Sequence, residues 1–110
     1  MKDVLFLGDA LRAIREFPEE ARRTAGRQIG RVQNGREPVD WKQFPAIGPG
    51  VREIRIRESS GAFRVIYLAT LADAVLVISA FQKKSQKTPR DEIEKARTRL
   101  RAFLRKGSEP

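Results

Sequence analysis

The stretch VREIRIRESSGAFRVIYLATLADAVLVISAFQKKSQK, from Val51 to Lys87, constrains the fold more than any other part of the chain. Val51–Arg57 alternates apolar and charged residues, the two-residue period of a half-buried strand. Ile54 and Ile56 fall on one face; Glu53, Arg55 and Arg57 fall on the other. Ser59-Ser60-Gly61 supplies a turn, with Gly61 free to take a positive φ. Ala62–Ala69 follows, rich in β-branched and aromatic residues, and Leu71-Ala72-Asp73 makes a second turn. Ala74–Phe81 is apolar on both faces, which predicts a strand covered on both sides. Gln82-Lys83-Lys84-Ser85-Gln86-Lys87 comes directly after it. The pattern predicts a three-stranded meander that delivers cations at one margin.

The flanks predict helices. Lys2–Leu7 suits a short edge strand. Asp9 suits the N-cap of a helix over Ala10–Glu16, with Ala10, Leu11, Ile14 and Phe17 on its apolar side. Pro18 ends that helix and suits the first turn of a second, whose N-terminus carries Glu19 and Glu20. Ala21, Ala25, Ile29 and Val32 form the second helix's apolar stripe, and Asn34-Gly35 its left-handed end. Gly26 and Gly30 cost about 1 kcal/mol each in helix propensity, so a close approach to a neighbouring element is expected there. Gly35–Gly50 reads as a 16-residue connection with three prolines, pinned by Trp41, Phe44 and Ile47. Thr88 caps a C-terminal helix with Pro89 in its first turn and Asp91 completing a capping box. Ile93, Ala96, Leu100, Phe103 and Leu104 form its apolar stripe, and Arg97, Arg99, Arg101, Arg105 and Lys106 its other sides. The order β-α-α-β-β-β-α predicts a small α+β domain: an antiparallel sheet packed by an N-terminal helical hairpin and a C-terminal helix. It spans residues 1–106, with 107–110 a disordered tail.

Charge and missing residue types narrow the chemistry. Sixteen Arg and seven Lys leave a net charge of +9. That exceeds the common magnitude of about 2–8 for a small domain and points to a polyanionic partner. Histidine and cysteine are both absent, so imidazole and thiolate chemistry are excluded. There is no phosphate-loop or dinucleotide fingerprint, and no paired carboxylates at a strand end for a metal, so no cofactor and no metal site are expected. No apolar run approaches about 20 residues, and MKDVLFLGDA is too short and too charged for a signal peptide. A cytoplasmic protein without membrane contact is the expectation.

One enzyme class survives these exclusions. RNA is cleaved by its own 2′-OH without metal or enzyme nucleophile, given in-line geometry, a proton acceptor and cations around the phosphorane. Arg64, Lys83, Lys84 and Arg55 are the catalytic candidates, and crowding of cations would favour a lysine acting as base. Arg57, Arg52, Lys87 and Phe81 are the RNA-binding candidates, Phe81 by stacking. Arg64 is the most informative, since Ile66 and Leu68 follow it at two-residue spacing. It either pairs with Glu53 or Glu58 on the neighbouring strand or reaches a phosphate. Arg23, Arg27 and Arg31, four apart on one helical face, form either a solvated face or a second contact ridge.

The motifs REIR, FRVIY and AFQKKSQKTP, with DWKQFPAIGPGVREIR before the meander, resemble the RelE/ParE superfamily of toxins. The phage-derived, HigB-like group is the nearest in look, over about Phe6 to Phe103. The resemblance implies a ribosome-dependent mRNA endoribonuclease (an interferase that inhibits translation), a type II toxin neutralised by a cognate antitoxin that often carries a helix-turn-helix. Operator DNA would then be met only through the antitoxin complex. It also implies that Arg64 matches the strand arginine that contacts phosphate. Arg55 and Arg57 fall near the first strand's basic pair, and Lys83 or Lys84 matches the basic residue closing the last strand. The terminal tyrosine of some relatives has its counterpart near Pro89, so that role is vacant here. Two alternatives therefore stay open: a ParE-like inhibitor of DNA gyrase, and a non-catalytic co-repressor module.

Overall fold

The computed structural model describes residues 1–108. The chain runs β1 (Asp3–Phe6), α1 (Ala10–Arg15), α2 (Glu19–Gln33), β2 (Trp41–Gln43), β3 (Val51–Glu58), β4 (Gly61–Leu68), β5 (Ala74–Lys83) and α3 (Arg90–Ser108). The five strands lie side by side in the order β1-β5-β4-β3-β2. The meander is as expected: β3 pairs antiparallel with β4 and β4 with β5. The β3–β4 hairpin closes through Ser59-Ser60, and Gly61 takes φ +135°, where a Cβ would meet Gln82 at 2.8 Å.

The sheet departs from the expected antiparallel one by a parallel strand at one edge and an added strand at the other. β1 runs parallel to β5, Asp3 beside Ala74 and Phe6 beside Val77. A parallel partner needs a crossover, which α1 and α2 supply by covering one face on the way to β3. At the opposite edge the supposed featureless loop contains β2, with Trp41 paired to Ile54. The result is a small α+β domain built on a mixed sheet.

Two-residue alternation sorts the sheet's side chains into two cores. On one face Ile54, Ile56, Phe63, Val65, Tyr67, Val75 and Val77 meet Ala10, Ile14, Phe17, Ala21, Ala25, Ile29 and Val32 of the α1–α2 hairpin. Phe17 and Phe63 stack at 4.8 Å between ring centres, a pair contributing about 0.5–1.5 kcal/mol beyond its area. On the other face Val51, Ile66, Leu68, Leu76 and Ile78 meet Ala96 and Leu100 of α3, with Ile47 tucked beside them. Leu104, expected in that stripe, is 47% exposed.

Several helix ends differ from expectation. Asp9 makes no side-chain cap to α1; its carboxylate instead accepts from Arg99 Nη2 at 2.6 Å, while Arg99 Nη1 donates to the Ile78 carbonyl at 3.0 Å. A charged partner on α3 competes better than a backbone N–H for that carboxylate. Arg99 therefore points inward, over Gly8, where any Cβ would meet its guanidinium at 2.4 Å. Pro18 stands at the N-cap of α2 rather than inside it. Pro89 likewise precedes α3, its carbonyl accepting from Glu92 at 3.1 Å and Ile93 at 3.3 Å. α2 does end as expected. Gly35 takes φ +79°, its N–H donates to the Val32 carbonyl, and that of Arg36 to the Arg31 carbonyl, a Schellman closure. A Cβ at Gly26 or Gly30 would meet nothing within 4 Å, so no close approach explains either glycine. α3 continues to Ser108, beyond the expected start of the tail at Gly107; the rest of that tail, residues 109–110, lies outside the described residues.

Candidate functional site

α3 covers only part of its sheet face. Along that face run three rows of cross-strand neighbours, the third of them buried. The first row is Arg57–Ala62–Lys83, the second Arg55–Arg64–Phe81, the third Glu53–Ile66–Ser79. Ala62 between two long cations leaves a gap that a larger residue would fill. The outcome is an open groove of about 610 Å³, lined by six cations: Lys42, Arg55, Arg57, Arg64, Lys83 and Lys84. One carboxylate, Glu53, sits among them.

Arg64 and Glu53 are the buried members, each with about 7% of its side chain exposed. Arg64 Nε stands 3.8 Å from Glu53 Oε1, close enough for charge attraction but too long for a hydrogen bond. Arg64 Nη1 donates to the Phe63 carbonyl at 3.1 Å. Glu53 Oε2 and Arg64 Nε have no hydrogen-bond partner among the described residues. Burial holds the Arg64 guanidinium below its usual pKa; Glu53 opposes that, and Arg55 and Arg57 add to it. A guanidinium stays charged in proteins even so. Arg55 Nε lies 3.6 Å from Asp40 Oδ1, which aligns it from the β2 side.

The groove unites most of the residues expected from sequence, but not all. Arg55, Arg57, Arg64, Lys83 and Lys84 converge there. Phe81 is half-buried against the second core, directly beside Arg64. Lys87 lines an adjoining recess rather than the groove itself. Arg52 belongs to the opposite face, with its guanidinium carbon 4.0 Å from the Trp41 ring centre and Nη1 3.8 Å from Glu37. The alternation that separates Glu53 from Ile54 already sends Arg52 with Ile54 and Ile56. Arg23 pairs with Glu19 at 2.6 Å, Arg27 donates to Thr24 at 3.0 Å, and Arg31 to the Glu37 carbonyl at 2.9 Å. That ridge is engaged in local contacts. Lys42 and Glu53 are additions. Glu53 was legible as the carboxylate sharing the Arg55 and Arg57 face; Lys42 reaches the site only through the β2–β3 pairing.

The family model of the phage-derived Gp49-like proteins (DUF891) matches residues 12–101. The chain belongs to that family. It is a toxin-like family of the RelE/HigB type, and the small α+β fold with helices on a five-stranded sheet agrees with a RelE-like architecture. The matched span contains every residue of the groove and leaves out β1 and Asp9. A toxin-like family suggests an antitoxin as partner. No curated protein matches the chain. No helix among the described residues is long and apolar enough to cross a membrane.

Proposed function

We propose that the chain is the toxin of a type II toxin–antitoxin pair and acts as a ribosome-dependent mRNA endoribonuclease. The observation that carries this reading is the groove: six cations around one buried carboxylate whose Oε2 has no partner among the described residues. The sequence pointed to a lysine as base; in this reading the Glu53 carboxylate takes that role. The 2′-OH attacks the adjacent phosphorus and the Glu53 carboxylate takes its proton. Arg64 and Arg55 stabilise the extra negative charge on the phosphorane. The P–O5′ bond breaks, and the leaving oxygen takes a proton from the Lys83 ammonium. The products are a 2′,3′-cyclic phosphate and a 5′-OH. Glu53 and Lys83 then exchange their proton through solvent.

The groove is open and gives little orientation by itself. Binding to the ribosome would supply it, since positioning is worth about 7–11 kcal/mol of a barrier. A helix-turn-helix antitoxin would neutralise the protein and carry it to operator DNA. Primer extension on cellular mRNA after induction tests the reading. Cuts inside translated codons, lost in Glu53→Gln, support it. DNA-damage signalling without cuts would sink it in favour of gyrase poisoning.

A further inference from the structure

Beside the cationic groove lies a second recess, of about 460 Å³, that the cleavage steps leave unused. That volume lies within the range of about 300–1,000 Å³ of small-ligand sites. The two depressions share Lys42, Glu53, Lys83 and Gln86, so they are continuous. Their walls differ in kind. The groove is dominated by cations, whereas Phe44, Pro45 and Ile93 bring apolar surface to the recess. Phe44 is held in place: its N–H donates to the Val51 carbonyl at 2.8 Å and its carbonyl accepts from Ile47 at 3.1 Å. Its ring is half-buried, packed on the second core yet still exposed to the recess. Gln86, exposed on the loop after β5, borders both depressions with an amide that donates and accepts.

A cationic depression joined to an apolar one fits a polymer that alternates anionic phosphates with flat aromatic groups. We propose that the recess holds one nucleobase of the RNA whose scissile phosphate lies in the groove, stacked on Phe44 and read at its edge by Gln86. The inference rests on the phosphate reading of the groove and adds a determinant of cleavage preference. Phe44 and Gln86 are positioning and specificity residues, distinct from the charged groups that stabilise the phosphorane. Stacking on an aromatic side chain tolerates any base, so discrimination falls to the amide.

The test uses the full chain and fluorescein-labelled tetraribonucleotides, 2′-O-methylated to prevent cleavage, with fluorescence anisotropy as readout. One set is intact; the other carries a single abasic site at each position in turn. For the wild type, one abasic position should weaken binding about tenfold. Phe44→Leu, which keeps apolar packing, should remove that difference while leaving the salt dependence of binding unchanged. Gln86→Ala, on an exposed loop and without a core role, should erase preference among bases at that one position. Equal affinity for intact and abasic RNA at every position overturns the recess while the phosphate groove stands. So does base preference retained in Gln86→Ala. Absence of salt-sensitive binding to any of the RNAs overturns the groove reading and the recess with it.

Discussion

Arg64 and Arg55 are direct cross-strand partners on the same face of the β3–β4 ladder. Like charges in that relationship are destabilising, on a scale of about 0.2–1 kcal/mol for a cross-strand pair. Arg64 is also buried, which adds a desolvation cost. Glu53, diagonal to it at 3.8 Å, offsets part of both. A fold seeking stability alone would place an apolar residue at 64, as it does at Ile66 and Leu68. A buried cation there fits the proposed site, whose requirement would be charge.

Removing Arg64 by substitution to Ala strands a buried carboxylate. The expected loss is about 3 kcal/mol, the lower end for a broken buried pair because the contact is long. Glu53→Ala combined with Arg64→Ala should recover at least half of it, since neither charge is then left alone. Urea unfolding of the singles and the double measures the coupling. Strict additivity of the two losses would show that the pair does not interact.

Glu53→Gln keeps shape and removes the proton acceptor. Cleavage should fall by about 10²–10⁴-fold, with growth arrest lost and the folded protein still recovered. Ala62→Leu is the complementary variant. It keeps every charge and fills the space between Arg57 and Lys83, so binding should fall with net charge unchanged. Unaltered RNA affinity in Ala62→Leu would place the RNA elsewhere.

Single-stranded RNA affinity should fall with salt at a slope of about −0.7 per phosphate contact. Six groove cations set an upper bound of about −4 for log K against log salt. Lys84→Ala should make the slope shallower by about 0.7, and Arg23→Ala, on the locally engaged helix face, should leave it unchanged. Anisotropy titrations between about 50 and 200 mM salt read both values.

Asp9 and Arg99 tie α3 to the turn after β1. The Arg99 hydrogen bond holds the Asp9 carboxyl below its ordinary 3.8, against a smaller upward push from burial. A folded-state value below the unfolded one means the contribution is complete above about pH 4 and is lost as pH falls through the lowered value. Asp9 is 41% exposed, so solvent screening brings the contribution to about 1 kcal/mol. Asp9→Asn should cost that at pH 7, and its stability should fall less than the wild type's from pH 4 to pH 2. Parallel pH profiles in urea unfolding would exclude the linkage.

Gly26→Ala and Gly30→Ala place a methyl where nothing stands within 4 Å. Each should stabilise α2 by about 0.5–1 kcal/mol through helix propensity. Thermal unfolding checks this; a loss would indicate a contact that the isolated chain does not make.

The meander and most of the groove were legible in the residue pattern. Strand alternation is local: once Ile54 and Ile56 face the core, Arg55 and Arg57 must share the opposite face with Glu53. A tight turn then brings Arg64 beside them, and the last strand ends at Lys83, with Lys84 directly after it. The same rule puts Arg52 on the far face, so its place among the RNA-binding candidates ran against the alternation. Contacts between distant segments emerged only with the folded chain. The parallel pairing of β1 with β5, the strand at Trp41, the capture of Asp9 by Arg99 and the entry of Lys42 into the groove all join segments through crossovers or packing. Residue spacing encodes which way a side chain points along its own element; it does not encode which remote element arrives to meet it.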